Sequence, residues 1–202
     1  EMKKRPRQAR SRATVDAITQ ACAHILAQSG CRALNTNAVA EVAGVSIGSV
    51  YEYFPGKEAI VAAMVRDLVE RNLHHLHGEL GRQHRNDFAV AMRYWIGTLY
   101  RLVVENKKLL QVLIFEVPYS FKLIPLASLQ LELLQVVMKG AARSEAQYRI
   151  SATPEVLYLI ASTTAGALLS LAFAPPPGLQ VARILDELSL RILHWLTGRC
   201  RR

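Results

Sequence analysis

From Ala43 to Lys57 the chain reads AGVSIGSVYEYFPGK. Gly44 permits a tight turn, because a residue without Cβ enters left-handed backbone at no steric cost. Ser46 can accept a hydrogen bond from a backbone N–H and so cap the helix that follows. Pro55-Gly56 breaks that helix, which the spacing predicts over Ile47–Tyr53. Val45, Val50 and Phe54 fall on the side expected to pack inward. Ile47, Ser49, Tyr51, Glu52 and Tyr53 are left facing outward or at the edge. A second short helix is predicted just upstream, over Thr36–Ala43, with Val39, Ala40 and Ala43 inward. Helix, glycine turn, short helix is the layout of a helix-turn-helix.

The rest of the chain also reads as helix. Val15, Ile18, Cys22, Ile25 and Leu26 recur at three- and four-residue steps, with Ser11 placed to cap their helix and Gly30 to end it. A longer helix runs from Lys57 to about Gln83, with Ile60, Met64, Leu68, Val69 and Leu73 inward. Asp87 can cap the next, whose apolar side is Phe88, Met92, Trp95, Ile96, Leu99 and Leu102. After a break at Asn106-Lys107, Leu109, Leu110, Leu113 and Ile114 continue until Pro118, and another helix begins near Pro125. Val156–Ala174 carries no charge, and its length approaches the ~20 residues that span a bilayer. Ser162, Thr163, Thr164 and Ser170 interrupt it and no aromatic belt frames it, so it reads as a buried helix of a soluble core. Val181, Ile184, Leu185, Leu188, Ile192, Trp195 and Leu196 mark the last helix. Alternating strand patterns are absent, and the fold class is all-α.

Composition bounds the function. Hydrophobic residues make up 51% of the 202, enough for a sizeable core. The net charge is +9 and the pI about 9.8, which suits an anionic partner. MKKRPRQARSR, residues 2–12, sets Lys3, Lys4, Arg5, Arg7, Arg10 and Arg12 just ahead of the first helix. A basic arm before a three-helix unit commonly enters the minor groove of DNA. Hydroxyls and phenols suit phosphate oxygens, because they donate a hydrogen bond without burying charge. Gly48 lets the backbone approach a duplex, and Lys57 opens a helix whose free N–H groups attract phosphate. Cys22, Cys31 and Cys200 are odd in number and lack metal-ligand spacing, which fits a reducing compartment. No apolar secretion signal is present at the N-terminus, and a cytoplasmic location is expected. No nucleophile with a base, paired carboxylates or metal cluster supports an enzyme.

LNTNAVAEVAGVSIGSVYEYFPGKEAIVAAM, residues 34–64, closely resembles the N-terminal signature of the tetracycline-repressor (TetR) family of bacterial regulators. The matched pieces are Thr36, Ala43-Gly44-Val45-Ser46, Gly48, Tyr51, Tyr53-Phe54 and Lys57-Glu58. The resemblance implies an all-helical homodimer. Residues 1–56 would be the helix-turn-helix DNA-binding domain and 57–202 a helical ligand-binding and dimerisation domain. It implies that Thr36 and Ser49 contact phosphate, that Tyr51 and Tyr53 contact phosphate or base edges, and that Lys57 anchors backbone. Ile47 stands where many relatives carry a polar base reader, and can touch a thymine methyl. Asn37 stands where some carry a basic residue. The expected DNA-contact set is Lys3, Lys4, Arg5, Arg7, Thr36, Asn37, Ser46, Ile47, Gly48, Ser49, Tyr51, Tyr53 and Lys57.

A pocket for a small hydrophobic effector needs a few polar atoms in an apolar lining. Trp95, Leu99, Phe115, Tyr119, Leu131, Gln135 and Thr163 are the candidates. The last two helices carry more apolar surface than one small domain needs, which suggests a four-helix bundle across a two-fold axis. Leu157, Ala161, Leu168, Ile184, Leu188, Ile192 and Trp195 are the residues expected there. The function expected is a ligand-responsive transcriptional regulator, a repressor that binds a palindromic double-stranded operator as a dimer. No cofactor, metal or membrane partner is expected. The alternative is a redox- or metal-responsive regulator using Cys22 and Cys31 or His74 and His77.

Overall fold

The computed structural model describes residues 2–3, 8–83, 87–117, 119, 150 and 153–198, and the regular structure among them is helical. In chain order these are α1 (Ala9–Ser29), a 3₁₀ turn (Cys31–Ala33), α2 (Thr36–Ala43), α3 (Ile47–Tyr53), α4 (Lys57–Gln83), α5 (Phe88–Glu105), α6 (Lys107–Glu116), α7 (Pro154–Phe173) and α8 (Val181–Thr197). The helix expected near Pro125 lies outside the described residues, as do Leu131 and Gln135.

The chain divides into two compact units. One falls within Glu1–Arg71 and Lys108–Ile124, the other within Asn72–Lys107 and Pro125–Arg202. The first unit therefore extends beyond the division expected at residues 56/57. Its start of α4 is buried nearly all round, through Ala59, Ile60, Val61, Ala63, Met64 and Val65. Leu109 and Leu113 of α6, with Val117, complete the same core.

The core of the first unit is built on α1, whose Val15, Ile18, Cys22, Ile25 and Leu26 are all buried. The helix begins at Ala9, earlier than a Ser11 cap would place it. Ser11 sits inside the first turn, where its hydroxyl accepts from the Gln8 N–H (3.2 Å) and donates to the Gln8 carbonyl (2.8 Å). At the other end Gly30 adopts φ 75°, ψ −179°, a region that only glycine enters freely. A Cβ at Gly30 would lie 2.9 Å from Oε2 of Glu116, the last residue of α6. That same oxygen accepts a hydrogen bond from the Cys31 N–H at 2.9 Å. The end of α1 and the end of α6 are thus joined through one carboxylate.

In the second unit α5 packs against both α7 and α8. Asp87 caps α5, its carboxylate accepting from the N–H groups of Ala89 and Val90. Trp95, Ile96, Ile160, Leu168, Ile192 and Leu196 lie in one core cluster. Two expectations about the last helices are corrected here. α7 is not buried all round: Ile160, Thr164, Leu168 and Leu171 point inward, while Tyr158, Leu159, Ser162 and Thr163 are exposed. It is also the one helix among the described residues that is long and apolar enough to cross a membrane. Leu168 and Ile192, expected at a dimer interface, are 3% and 1% exposed and belong to the intrachain core. The helical period decides this, because residues four apart share a face and Leu168 falls in line with Ile160 and Thr164. Leu157, Ala161, Ile184 and Leu188 are half-buried, and Trp195 remains 41% exposed.

Gly30→Asn should lower stability by about 1–3 kcal/mol, because the backbone region is closed to side chains and the Cβ meets Glu116. Gly44→Asn should cost far less, since φ 65°, ψ 32° is the left-handed region that Asn tolerates and its surroundings are open. Thermal denaturation of the two variants side by side checks the difference; equal losses would count against it.

Candidate nucleic-acid interface

The candidate interface is α2, its turn and α3. Asn35 caps α2, its side-chain oxygen accepting from the Ala38 N–H at 2.9 Å. The sequence reading had passed over Asn35, although an Asn just before an apolar-periodic segment is itself a start signal. Gly44 closes α2 in the left-handed conformation, its N–H directed at the carbonyls of Ala40 and Glu41. Val45 returns a second bond to Ala40 at 3.0 Å, so the turn is fixed on both sides of the glycine. Ser46 then caps α3: its hydroxyl accepts from the Ser49 N–H at 3.0 Å and lies 2.9 Å from the Ser49 hydroxyl.

Val50 and Phe54 are fully buried against the core of the first unit. Tyr53 joins them at 6% exposure, which corrects the expectation that it faces outward. The reason is spacing: three residues after Val50 it falls on the same face of the helix. Ile47, Gly48 and Tyr51 do face outward, Tyr51 at 46% exposure, with Asn37 and Ser46 also exposed. Val42, at the end of α2, adds an exposed apolar side chain that the sequence reading had not singled out.

Polar contacts fix this surface. The Tyr51 and Thr36 hydroxyls lie 3.1 Å apart, tying α3 to the first residue of α2. Lys57 donates to the Leu34 carbonyl at 3.5 Å, which holds the start of α4 beside the approach to α2. Lys3 donates its backbone N–H to the Tyr53 carbonyl (2.8 Å) and its ammonium to the Tyr51 carbonyl (3.3 Å). Carbonyls of a last helical turn lack intrahelical partners, and a cation is favourable there. The basic arm therefore starts from the C-terminal end of α3. Lys4, Arg5 and Arg7 lie outside the described residues.

The other expected sites separate. Trp95 is buried and Leu99 half-buried, both in the core of the second unit. Phe115, by contrast, is 72% exposed on α6, and Tyr119 packs on the core of the first unit. The Tyr119 phenol is pushed up by burial and by nearby Glu58. Phe115 and Tyr119 fall in the first unit and Trp95 in the second. Thr163 is exposed while Thr164 is buried, because one residue is about 100° of helical rotation. Burial pushes the Cys22 thiol up to about 12, with Cys31 adding to the effect. The thiolate is the reactive form, so Cys22 is inert at neutral pH. His74 is exposed, the side chain of His77 lies outside the described set, and no three His, Cys, Asp or Glu residues among those described gather as a metal site.

Residues 13–64 match the model of the tetR family of bacterial regulatory proteins. Similar solved structures cover nearly the whole chain. The fatty acid degradation regulator FadR of Bacillus halodurans is 15% identical at a TM-score of 0.66, over 94% of this chain and 97% of its own. A TetR-family transcriptional regulator of Streptomyces coelicolor is 23% identical at 0.61, over 95% and 99%. One from Marinobacter aquaeolei is 18% identical at 0.63, over 91% and 96%. At such identities the likeness is one of fold. No curated protein matches the chain in sequence.

Tyr51→Phe removes one exposed hydroxyl and its contact with Thr36, and should lower stability by no more than about 1 kcal/mol. It should weaken binding to a duplex selected from random sequence about threefold to tenfold, as loss of one hydrogen bond does. Fluorescence anisotropy measures this; parental affinity would place Tyr51 away from the nucleic acid.

Proposed function

We propose that this chain, whose residues 13–64 match the tetR family of bacterial regulatory proteins, is a DNA-binding transcriptional regulator of that family: a repressor that holds a palindromic operator as a homodimer and is released by a small hydrophobic effector. The observation that carries the reading is the exposed face of α3. Ile47 and Tyr51 stand outward on a seven-residue helix whose opposite side is locked into a core. Ile47 lies in the first turn, the part of a recognition helix that meets base edges. Its side chain suits a thymine methyl. Thr36, Asn37, Tyr51 and Lys57 take backbone phosphates, and the arm from Lys3 to Arg7 enters the minor groove. Tyr53 supports α3 from beneath.

Two copies of α3 in successive major grooves must stand about 34–36 Å apart. The dimer that sets this distance forms through the exposed faces of α7 and α8, with Tyr158, Leu159 and Trp195 as its large apolar side chains. The effector enters the core of the second unit. The fatty acid regulator among the structural neighbours supports an apolar ligand. Its effect reaches the DNA-reading unit along the chain: α4 contributes to both units, and α6 follows α5 after one residue. α6 is keyed to the end of α1 through Glu116 and to the core through Leu109 and Leu113. A shift of α6 moves α1, and with it the platform under α3. The coupling is reciprocal, so DNA weakens effector binding by the same factor. The protein works in the cytoplasm and catalyses no reaction.

Selection from random duplexes tests the proposal. A palindrome should emerge and compete against bulk DNA at physiological salt. Five base pairs inserted between its halves should abolish the preference, since they turn one half-site to the opposite side of the helix. Recovery of no preferred duplex would sink the repressor reading. Leu159→Glu should convert the dimer to a monomer in light scattering and remove preference for the palindrome; an intact dimer would place the interface elsewhere.

A further inference from the structure

Four aliphatic hydroxyl side chains are buried among the described residues: Thr19, Thr98, Thr164 and Ser189. Three are satisfied. Thr19 donates to the Asp16 carbonyl at 3.0 Å, Thr98 accepts from Arg101 at 3.0 Å, and Ser189 donates to the Leu185 carbonyl at 2.7 Å. The Thr164 hydroxyl has no hydrogen-bond partner among the described residues, and neither has the indole Nε1 of Trp95. Each residue is 5% exposed. Buried polar groups are paired in the great majority of cases, so each exception asks for a cause.

The two exceptions share one unit. Thr164 stands between Ile160 and Leu168 on the inward face of α7, and both neighbours lie in the same core cluster as Trp95. A helical threonine has a ready outlet, the carbonyl one turn back. Thr14 and Thr197 both take it, at 3.1 Å and 2.8 Å, and Thr164 does not. An indole N–H can only donate, and a hydroxyl can donate as well. Among the described residues of this unit no ionisable side chain is buried. Two donors buried among apolar side chains suit a neutral acceptor, because a carboxylate buried there would be heavily penalised.

We propose that Trp95 and Thr164 are the polar anchors of an effector site in the second unit, and that the site takes an uncharged, largely apolar molecule bearing a carbonyl oxygen: a ketone, ester or lactone. This rests on the effector reading above and names its chemistry. The carbonyl oxygen accepts from the indole and the hydroxyl, while the hydrocarbon part lies against the surrounding apolar side chains.

The test uses the full chain with 2-undecanone as probe, and undecane and the undecanoate anion as controls. Calorimetry gives affinities and thermal denaturation gives stabilities for the parent, Trp95→Phe and Thr164→Val. The ketone should bind the parent at least tenfold more tightly than either control. Each substitution should weaken the ketone about fivefold to tenfold, the loss of one neutral hydrogen bond, and leave undecane unchanged. Neither should lower the melting temperature of the ligand-free protein, since each deletes a group without a partner. The proposal is overturned if the ketone fails to bind, if undecane or the anion binds as well as it does, if both variants keep parental ketone affinity, or if both lose ligand-free stability. Binding of the three proteins to the selected duplex separates the two readings. A parent that selects no duplex strikes at the repressor, whereas normal duplex binding without a ketone response strikes at this site alone.

Discussion

A helix of seven residues does not hold itself together. Isolated helices shorter than about 12–15 residues are marginal in water. α3 exists because Val50 and Phe54 are removed from solvent entirely and Tyr53 nearly so. Burying a large apolar side chain stabilises by roughly 1.5–3 kcal/mol. The Ser46 cap and the Gly44 turn then fix where the helix begins and in which direction it leaves α2. With one face committed to the core, Ile47 and Tyr51 have no choice but to face outward. The candidate nucleic-acid surface is thus a by-product of the burial beneath it, and its aim is only as firm as α1.

That dependence gives the junction at Gly30 its significance. α1 ends on a backbone geometry reserved for glycine, and the N–H that follows is satisfied by Glu116, far along the chain. Leu109, Leu113 and Val117 fill the same core from the same segment. A piece of chain that sequence order assigns to the C-terminal half is therefore structural material of the DNA-reading unit. α4 runs from the first unit into the second, and α5 passes to α6 through Asn106 alone.

The second unit shows the opposite balance. Its interior leaves a tryptophan N–H and a threonine hydroxyl without partners among the described residues, while α7 turns a second apolar face outward. Both features suit the effector and the second copy proposed above.

The sequence by itself determined the helix-turn-helix. Its signals are local: a glycine that must turn left-handed, a serine within reach of the next free N–H, and a Pro-Gly break. α2 and α3 carry the limits those residues dictate. Cys22 as an inert buried thiol was equally legible, from one apolar stripe. Only tertiary structure could decide what depends on which neighbours arrive. It moved the unit boundary into α4, turned Tyr53 inward, left Thr163 exposed while burying Thr164, and put Leu168 and Ile192 inside. It also assigned Phe115 and Tyr119 to the first unit and Trp95 to the second. The physical reason is common to all of these. Periodicity states that a helix has an apolar face, but α7 has two, and the core that claims one of them is assembled from residues distant in sequence.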